Sequence, residues 1–184
     1  MKPDEGVVAR RYARAALLYC DARGGHDAFL SGLEKLEEAM RLVPVLGTML
    51  STPIVKKDRK QELLAAIAVQ LELPAAVQRF AAILVARNRA DYLPAIGRRF
   101  LALLDDQRNR ARATVCTPVP LDEGMEKGIT AALSLHFKKE VISSFVVDET
   151  LYGGVLARVG NTIIDSSIRG HLDRMRQRLA ALTS

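Results

Sequence analysis

Apolar residues recur every three or four positions from the start of the chain to about Ala111. That rhythm stops where Arg112 opens a stretch of β-branched residues and prolines. A period near 3.6 places one apolar stripe along each helix, and such a stripe is buried only against other stripes. The first part is therefore expected to be a bundle of amphipathic helices, and the second to contain strands. Aromatic residues make up only 5% and Trp is absent, while Ala and Leu number 25 each. That mix suits helices that approach closely through small side chains.

The first helix is expected to start at Pro3 and Asp4, to place Val8, Tyr12, Ala16 and Tyr19 on one face, and to end at Gly24-Gly25. Leu30, Leu33, Leu36, Met40 and Val43 mark a second helix, and Pro44 and Gly47 leave room for a short turn of helix through Leu50. Ser51 or Thr52 is expected to cap the next helix, with Leu63, Leu64, Ile67 and Leu71 inside. Pro74 begins another, facing Val77, Phe80, Ala81 and Leu84 inward. The last of the series runs from about Asp91 to Ala111, with Leu93, Ile96, Phe100, Leu103 and Leu104 inside.

After the change in texture, ARATVCTPVP reads as a strand ending at Pro118. Leu121, Met125, Ile129, Ala132 and Leu133 give one amphipathic helix. VISSFVVDE is a second strand with Val141, Ser143, Phe145 and Val147 on one face. Gly153-Gly154 reads as a tight hairpin needing positive φ, and Gly160-Asn161 as a two-residue turn from VLARV into TIID. Ser166 and Ser167 are placed to cap a last helix carrying Ile168, Leu172, Met175, Leu179 and Leu182. The fold class is thus mainly α: an N-terminal six-helix bundle over residues 1–108, then a small C-terminal α+β domain with a mixed sheet over 109–184.

The search for catalytic chemistry is largely negative. There is no phosphate-binding G-x-x-x-x-G-K-[ST] loop, no G-x-G-x-x-G after a strand and no G-x-S-x-G elbow. His26, His136 and His171 are scattered, and Cys20 and Cys116 have no neighbour at metal-ligand spacing. His136 is expected at the wet end of a helix and Cys20 as a small packed residue. Neither a cofactor nor a metal is expected. With two distant cysteines a reducing compartment is the default. No apolar run reaches a membrane span, and MKPDEGVVARRY lacks the core of a signal peptide, so the chain is expected to be soluble.

Formal net charge is +6. Up to Ala111 there are 18 Lys+Arg against 13 Asp+Glu; beyond it, 9 against 8. Arg87, Arg89, Arg98, Arg99, Arg108, Arg110 and Arg112 form the most basic stretch. It reads first as a solvated helix surface with ion pairs, and second as an RNA-binding or acidic-partner face. Ala9, Tyr12, Ala13, Ala16 and Leu17 make a small-residue face on the first helix. That face serves either bundle packing or a groove for a partner's amphipathic helix.

Two pieces carry a family resemblance. Ala9-Arg10-Arg11-Tyr12-Ala13-Arg14-Ala15-Ala16-Leu17 resembles the opening of the delta subunit of F-type ATP synthase, whose mitochondrial counterpart is the oligomycin-sensitivity-conferring protein. VVDETLYGGVLARVGNTIIDSSIRGHLDRMRQRL, residues 146–179, is similar to that family's run of Val-Asp, Leu-x-Gly-Gly, a strand, Ile-Asp-x-Ser and a Leu-rich last helix. Two departures stand out: Phe137-Lys138 where the family often has Gly-Lys, and Asp165-Ser166-Ser167 where it often has Asp-Gly-Ser.

The resemblance implies a non-catalytic peripheral-stalk subunit that couples rotation to ATP synthesis and hydrogen ion transport. An alpha-subunit N-terminal helix would dock on the first and fifth bundle helices. Here those carry Tyr12, Ala13, Ala16 and Leu17, then Val77, Phe80, Ala81 and Leu84. The C-terminal part, at Leu172, Met175 and Leu179, would meet the b subunits. One copy per complex, no nucleic acid and membrane association only through the complex are implied, at the cytoplasmic face of a bacterial inner membrane. The alternative reading is an all-helical RNA-binding adaptor of the transcription-antitermination type.

Overall fold

A computed structural model describes residues 5–52, 54–172 and 174–175. It is mainly helical, with a four-stranded mixed sheet towards the C-terminus. Contacts divide the chain into two units, Met1–Leu104 and Asp105–Ser184. In the first, among the described residues, lie α1 (Glu5–Arg23), α2 (His26–Leu42), α3 (Pro44–Ser51), α4 (Lys57–Gln70) and α5 (Ala75–Ala86). A 3-10 turn (Ala90–Tyr92) leads into α6 (Leu93–Gln107), of which the residues up to Leu104 belong to this unit.

Local chemistry sets most of these boundaries. Gly24 and Gly25 take φ of +74° and +87°, which stops α1 and admits α2. Pro44 and Pro74 sit at the starts of α3 and α5, where a missing N–H costs nothing. Ser51 does not cap α4, contrary to the spacing. It closes α3 instead, donating from its Oγ to the Gly47 carbonyl at 2.6 Å, and α4 begins at Lys57 with no side-chain cap. Pro3 and Asp4 lie outside the described residues.

The core of this unit is built on small residues of α1 and large ones of α2, α5 and α6. Ala9, Ala13, Ala16 and Cys20 are buried on α1, facing a cluster that includes Phe29, Leu33, Leu36, Val77, Ala81, Ile96 and Phe100. Phe29 belongs to the stripe of α2 ahead of Leu30, which is only half-buried, and Val43 is exposed beyond the helix. Gly32 is needed for close approach: a Cβ there would stand 2.7 Å from Val77 Cγ2 and 3.0 Å from Pro74 Cδ. Lys60 is buried as well, donating to Asn88 Oδ1 at 2.6 Å and so tying α4 to the turn after α5. Asn88 takes φ +53°, a conformation Asn tolerates better than most residues.

α6 ends at Gln107, short of Ala111. Asn109 turns left-handed at φ +52°, and its carbonyl accepts the Glu140 N–H at 3.1 Å, which commits the chain to the sheet. The second unit holds β1 (Arg110–Thr117), α7 (Glu123–Phe137), β2 (Glu140–Val147), a 3-10 turn (Glu149–Leu151), β3 (Leu156–Val159) and β4 (Thr162–Asp165). Their order in the sheet is β2-β1-β3-β4. β1 and β2 run parallel, which requires a crossover long enough for a helix, and α7 supplies it. Val115, wholly buried at the centre, packs with Ala113, Val141, Ala157, Val159 and Leu133. Asp122 caps α7 by accepting the Met125 N–H at 2.7 Å. Lys138 closes it at φ +54°, so the left-handed residue is Lys138 and not Phe137.

Gly153-Gly154 is not a hairpin. β1 lies between β2 and β3, so those two strands never pair. The glycines let the chain before the last helix press on the backbone. A Cβ on Gly154 would collide with the Ser166 carbonyl, and the Ile168 N–H donates to the Gly153 carbonyl at 3.0 Å. Gly160-Asn161 does make the two-residue turn, between Val159 and Thr162. Ser167 is the cap: its Oγ accepts the Gly170 N–H at 3.0 Å, whereas Ser166 donates its N–H to the Val155 carbonyl. Ser166 is not among the positive-φ residues, so no glycine is required there. Residues 168–172 and 174–175 are helical, with Ile168, Leu172 and Met175 exposed; Leu179 and Leu182 lie outside the described residues.

Asp165 accepts from the Ser167 Oγ (2.6 Å) and N–H (2.9 Å), and Arg174 stands 3.7 Å away. These groups hold its carboxyl below the usual carboxylate range. A depressed folded-state pKa contributes stability above the unfolded value of ~3.9, and that contribution is lost as pH falls through the folded value. Acidification below about pH 4 is therefore expected to strip hydrogen-exchange protection from the Gly170 amide. In Asp165→Asn that protection is weaker at neutral pH and its acid dependence shallower.

Gly32→Ala is expected to lower stability by about 1–2 kcal/mol in urea titrations. Val77 is rigid and wholly buried, so the clash outweighs the gain of ~1 kcal/mol from helix propensity.

Candidate functional site

α1 and α5 each rest on α2, and an apolar groove of about 240 Å³ opens between them. Tyr12, Ala15, Ala16 and Tyr19 form one wall, and Ala76, Arg79, Phe80 and Ile83 the other. Phe29 of α2 makes the floor. Residues 12, 16 and 19, like 76, 80 and 83, step by three or four, so each wall is a single helical line.

Aromatic contacts fix the shape. The Tyr12 and Phe80 rings meet edge-on with centroids 6.3 Å apart. Phe80 meets Phe29 at 5.5 Å, and Phe29 meets Phe100 of α6 at 5.1 Å. Such pairs contribute roughly 0.5–1.5 kcal/mol each beyond burial, so the groove is anchored to the core. Arg89 places its guanidinium 5.7 Å from the Tyr12 ring centre and donates from Nη1 to the Tyr12 hydroxyl at 3.3 Å. Arg23 lies 5.2 Å from the Tyr19 ring centre.

The residues expected from sequence divide into two sets. Tyr12, Ala16 and Phe80 line the groove, while Ala13, Val77, Ala81 and Leu84 are buried in the core and Leu17 is half-buried against it. Ala15, Phe29, Ala76, Arg79 and Ile83 complete the lining and were not singled out by spacing. The reason is geometric. On α5 the regular line of Val77, Ala81 and Leu84 marks the core side, and the wall of the groove is the line one residue over. The signal available was the second apolar line of α5 at Ala76, Phe80 and Ile83.

In the second unit the helical residues after β4 present Ile168, Leu172 and Met175 at spacings of four and three, each about half exposed. Leu172 and Met175 were expected at a partner site; Leu179 lies outside the described residues.

The groove brings no acid, base or nucleophile together. Cys20 is buried on the core side of α1; burial first, and Asp21 second, push its thiol pKa up, which disfavours the reactive thiolate. Among the described residues no group of three His, Cys, Asp or Glu could hold a metal ion, and no helix is long and apolar enough to cross a membrane. Several arginines of the basic stretch are engaged locally. Arg112 reaches Asp105 at 2.7 Å, Arg110 reaches Glu140 at 2.7 Å, and Arg98 stands 4.0 Å from Glu5.

Comparison with known proteins agrees in extent and in fold. ATP synthase subunit delta of Anaeromyxobacter dehalogenans (strain 2CP-C) is 35% identical over 174 residues, covering 95% of this chain and 97% of that one. Its namesake in Clostridioides difficile (strain 630) is 31% identical over 179 residues, covering 97% and 98%. A chain in the cryo-EM structure of the Toxoplasma gondii mitochondrial ATP synthase hexamer shares the fold. It has a TM-score of 0.68 at 15% identity, over 94% of this chain and 97% of that one. The family model for the ATP synthase delta (OSCP) subunit matches residues 8–179, and the chain belongs to that family.

Proposed function

We propose that this chain is a non-catalytic stator subunit of an F-type ATP synthase, joining the catalytic head to the peripheral stalk so that rotation is coupled to ATP synthesis. The observation that carries this reading is the groove between α1 and α5: apolar, two helical turns long and without converging catalytic groups, in a chain whose relatives are named ATP synthase subunit delta. A static connector works through contact area and not turnover, so an apolar cleft suits it where a reaction centre does not. The N-terminal helices act as a six-helix bundle whose groove takes the N-terminal helix of an alpha subunit. The exposed line of Ile168, Leu172 and Met175 meets the b subunits. One copy serves each complex, held at the cytoplasmic face of a bacterial plasma membrane only through its partners. The basic stretch does not favour the RNA-binding alternative, because its ion pairs occupy Arg98, Arg110 and Arg112.

Calorimetric titration with a peptide of the alpha-subunit N-terminus tests the groove. Ile83 is half exposed, so Ile83→Glu should stay folded by circular dichroism. It should weaken binding by at least about tenfold, since an unpaired carboxylate would be covered. Equal affinity of the two proteins would refute the site. The other end is tested separately: Leu172→Asp with Met175→Asp should lose capture of the b subunits while binding the alpha peptide as before.

A further inference from the structure

The charges around the groove are as one-sided as its lining is apolar. Arg79 is the single charged residue of α5, it is exposed, and it lines the groove. Among the described residues it makes neither a hydrogen bond nor an ion pair. On α1, the helix of the opposite wall, Asp21 is already engaged by the His26 ring at 2.9 Å. Arg23 and Arg89 lie over the two tyrosines that frame the cleft. A helix seated on Phe29 and Phe80 would bring the flanks of its apolar stripe beside these guanidiniums. Water would be partly excluded there, so charge would count for more than on an open surface.

We infer that the groove selects an amphipathic helix whose apolar stripe is flanked by carboxylates, with Arg79 as the specificity-determining residue. This rests on the reading of the groove as a helix-docking site and names the chemistry of the helix it accepts. Glu and Asp beside the stripe meet a free guanidinium; Lys in the same place meets like charge on both walls.

Three synthetic helical peptides with one apolar stripe and flanks of Glu, Gln or Lys are titrated into the full chain. Affinity should fall from Glu to Gln to Lys, with about tenfold between the extremes, and the advantage of Glu should shrink as salt is raised. Arg79→Gln should remove most of the spread, and Arg79→Glu should reverse the order while the circular dichroism spectrum is unchanged. Equal binding of all three peptides, or an order unaltered by Arg79→Glu, overturns the selectivity and leaves docking intact. Failure of all three to bind overturns docking itself, and the selectivity falls with it.

Discussion

Phe29 is the residue on which both the packing of the N-terminal helices and the existence of their groove depend. Its ring packs at 5.1 Å against Phe100 in the core and at 5.5 Å against Phe80 at the cleft. The groove floor is therefore the top of the core and not a loop laid over it. Small residues on α1 complete the arrangement. Ala13 and Ala16 bring that helix down onto its neighbours, while Tyr12 and Tyr19, offset around the helix, remain standing as a wall. A larger residue at Ala13 would lift the wall away from the floor, so the same economy of volume sets both the packing and the shape of the groove.

The second unit obeys a different constraint. Its centre is β1, paired on one side with a parallel strand and on the other with an antiparallel one. Parallel pairing demands α7 as a crossover, and α7 pays this back by covering one face of the sheet through Ile129 and Leu133. The remaining segment returns through β3 and β4, and the glycine pair ahead of β3 receives the chain that leaves β4. Leu-x-Gly-Gly and Asp-x-Ser, separated by β3 and β4, are two halves of one backbone contact.

Much of this was legible in the residues because helix periodicity and turn chemistry are local. The C-terminal end of α1, the short α3, the start of α5 and the Gly160-Asn161 turn all follow from Gly, Pro and apolar spacing. What could not be read was decided at a distance. Whether Gly153-Gly154 joins neighbouring strands depends on where β1 inserts, and no dipeptide encodes that. Lys60 looks like a surface residue until Asn88 is folded against it. In the groove, spacing located both helices and the α1 line of Tyr12, Ala16 and Tyr19, but on α5 it chose the core line, because a core line and a groove wall leave the same apolar signature. Phe80 both lines the groove and packs against the core, whereas Ile83 and Arg79 only line the groove.

The seat of the last helix has a mechanical corollary. Ser166 bonds to Val155 and Ile168 to Gly153, two main-chain bonds abreast on the same pair of short segments, with Ser167 buried between them. A pull along those segments puts both bonds in shear, and they must give way together. A peeling pull opens them one after the other at lower force. The junction is thus an anisotropic joint, stiff against sliding and weak against lifting, and its strength depends on the direction from which tension arrives.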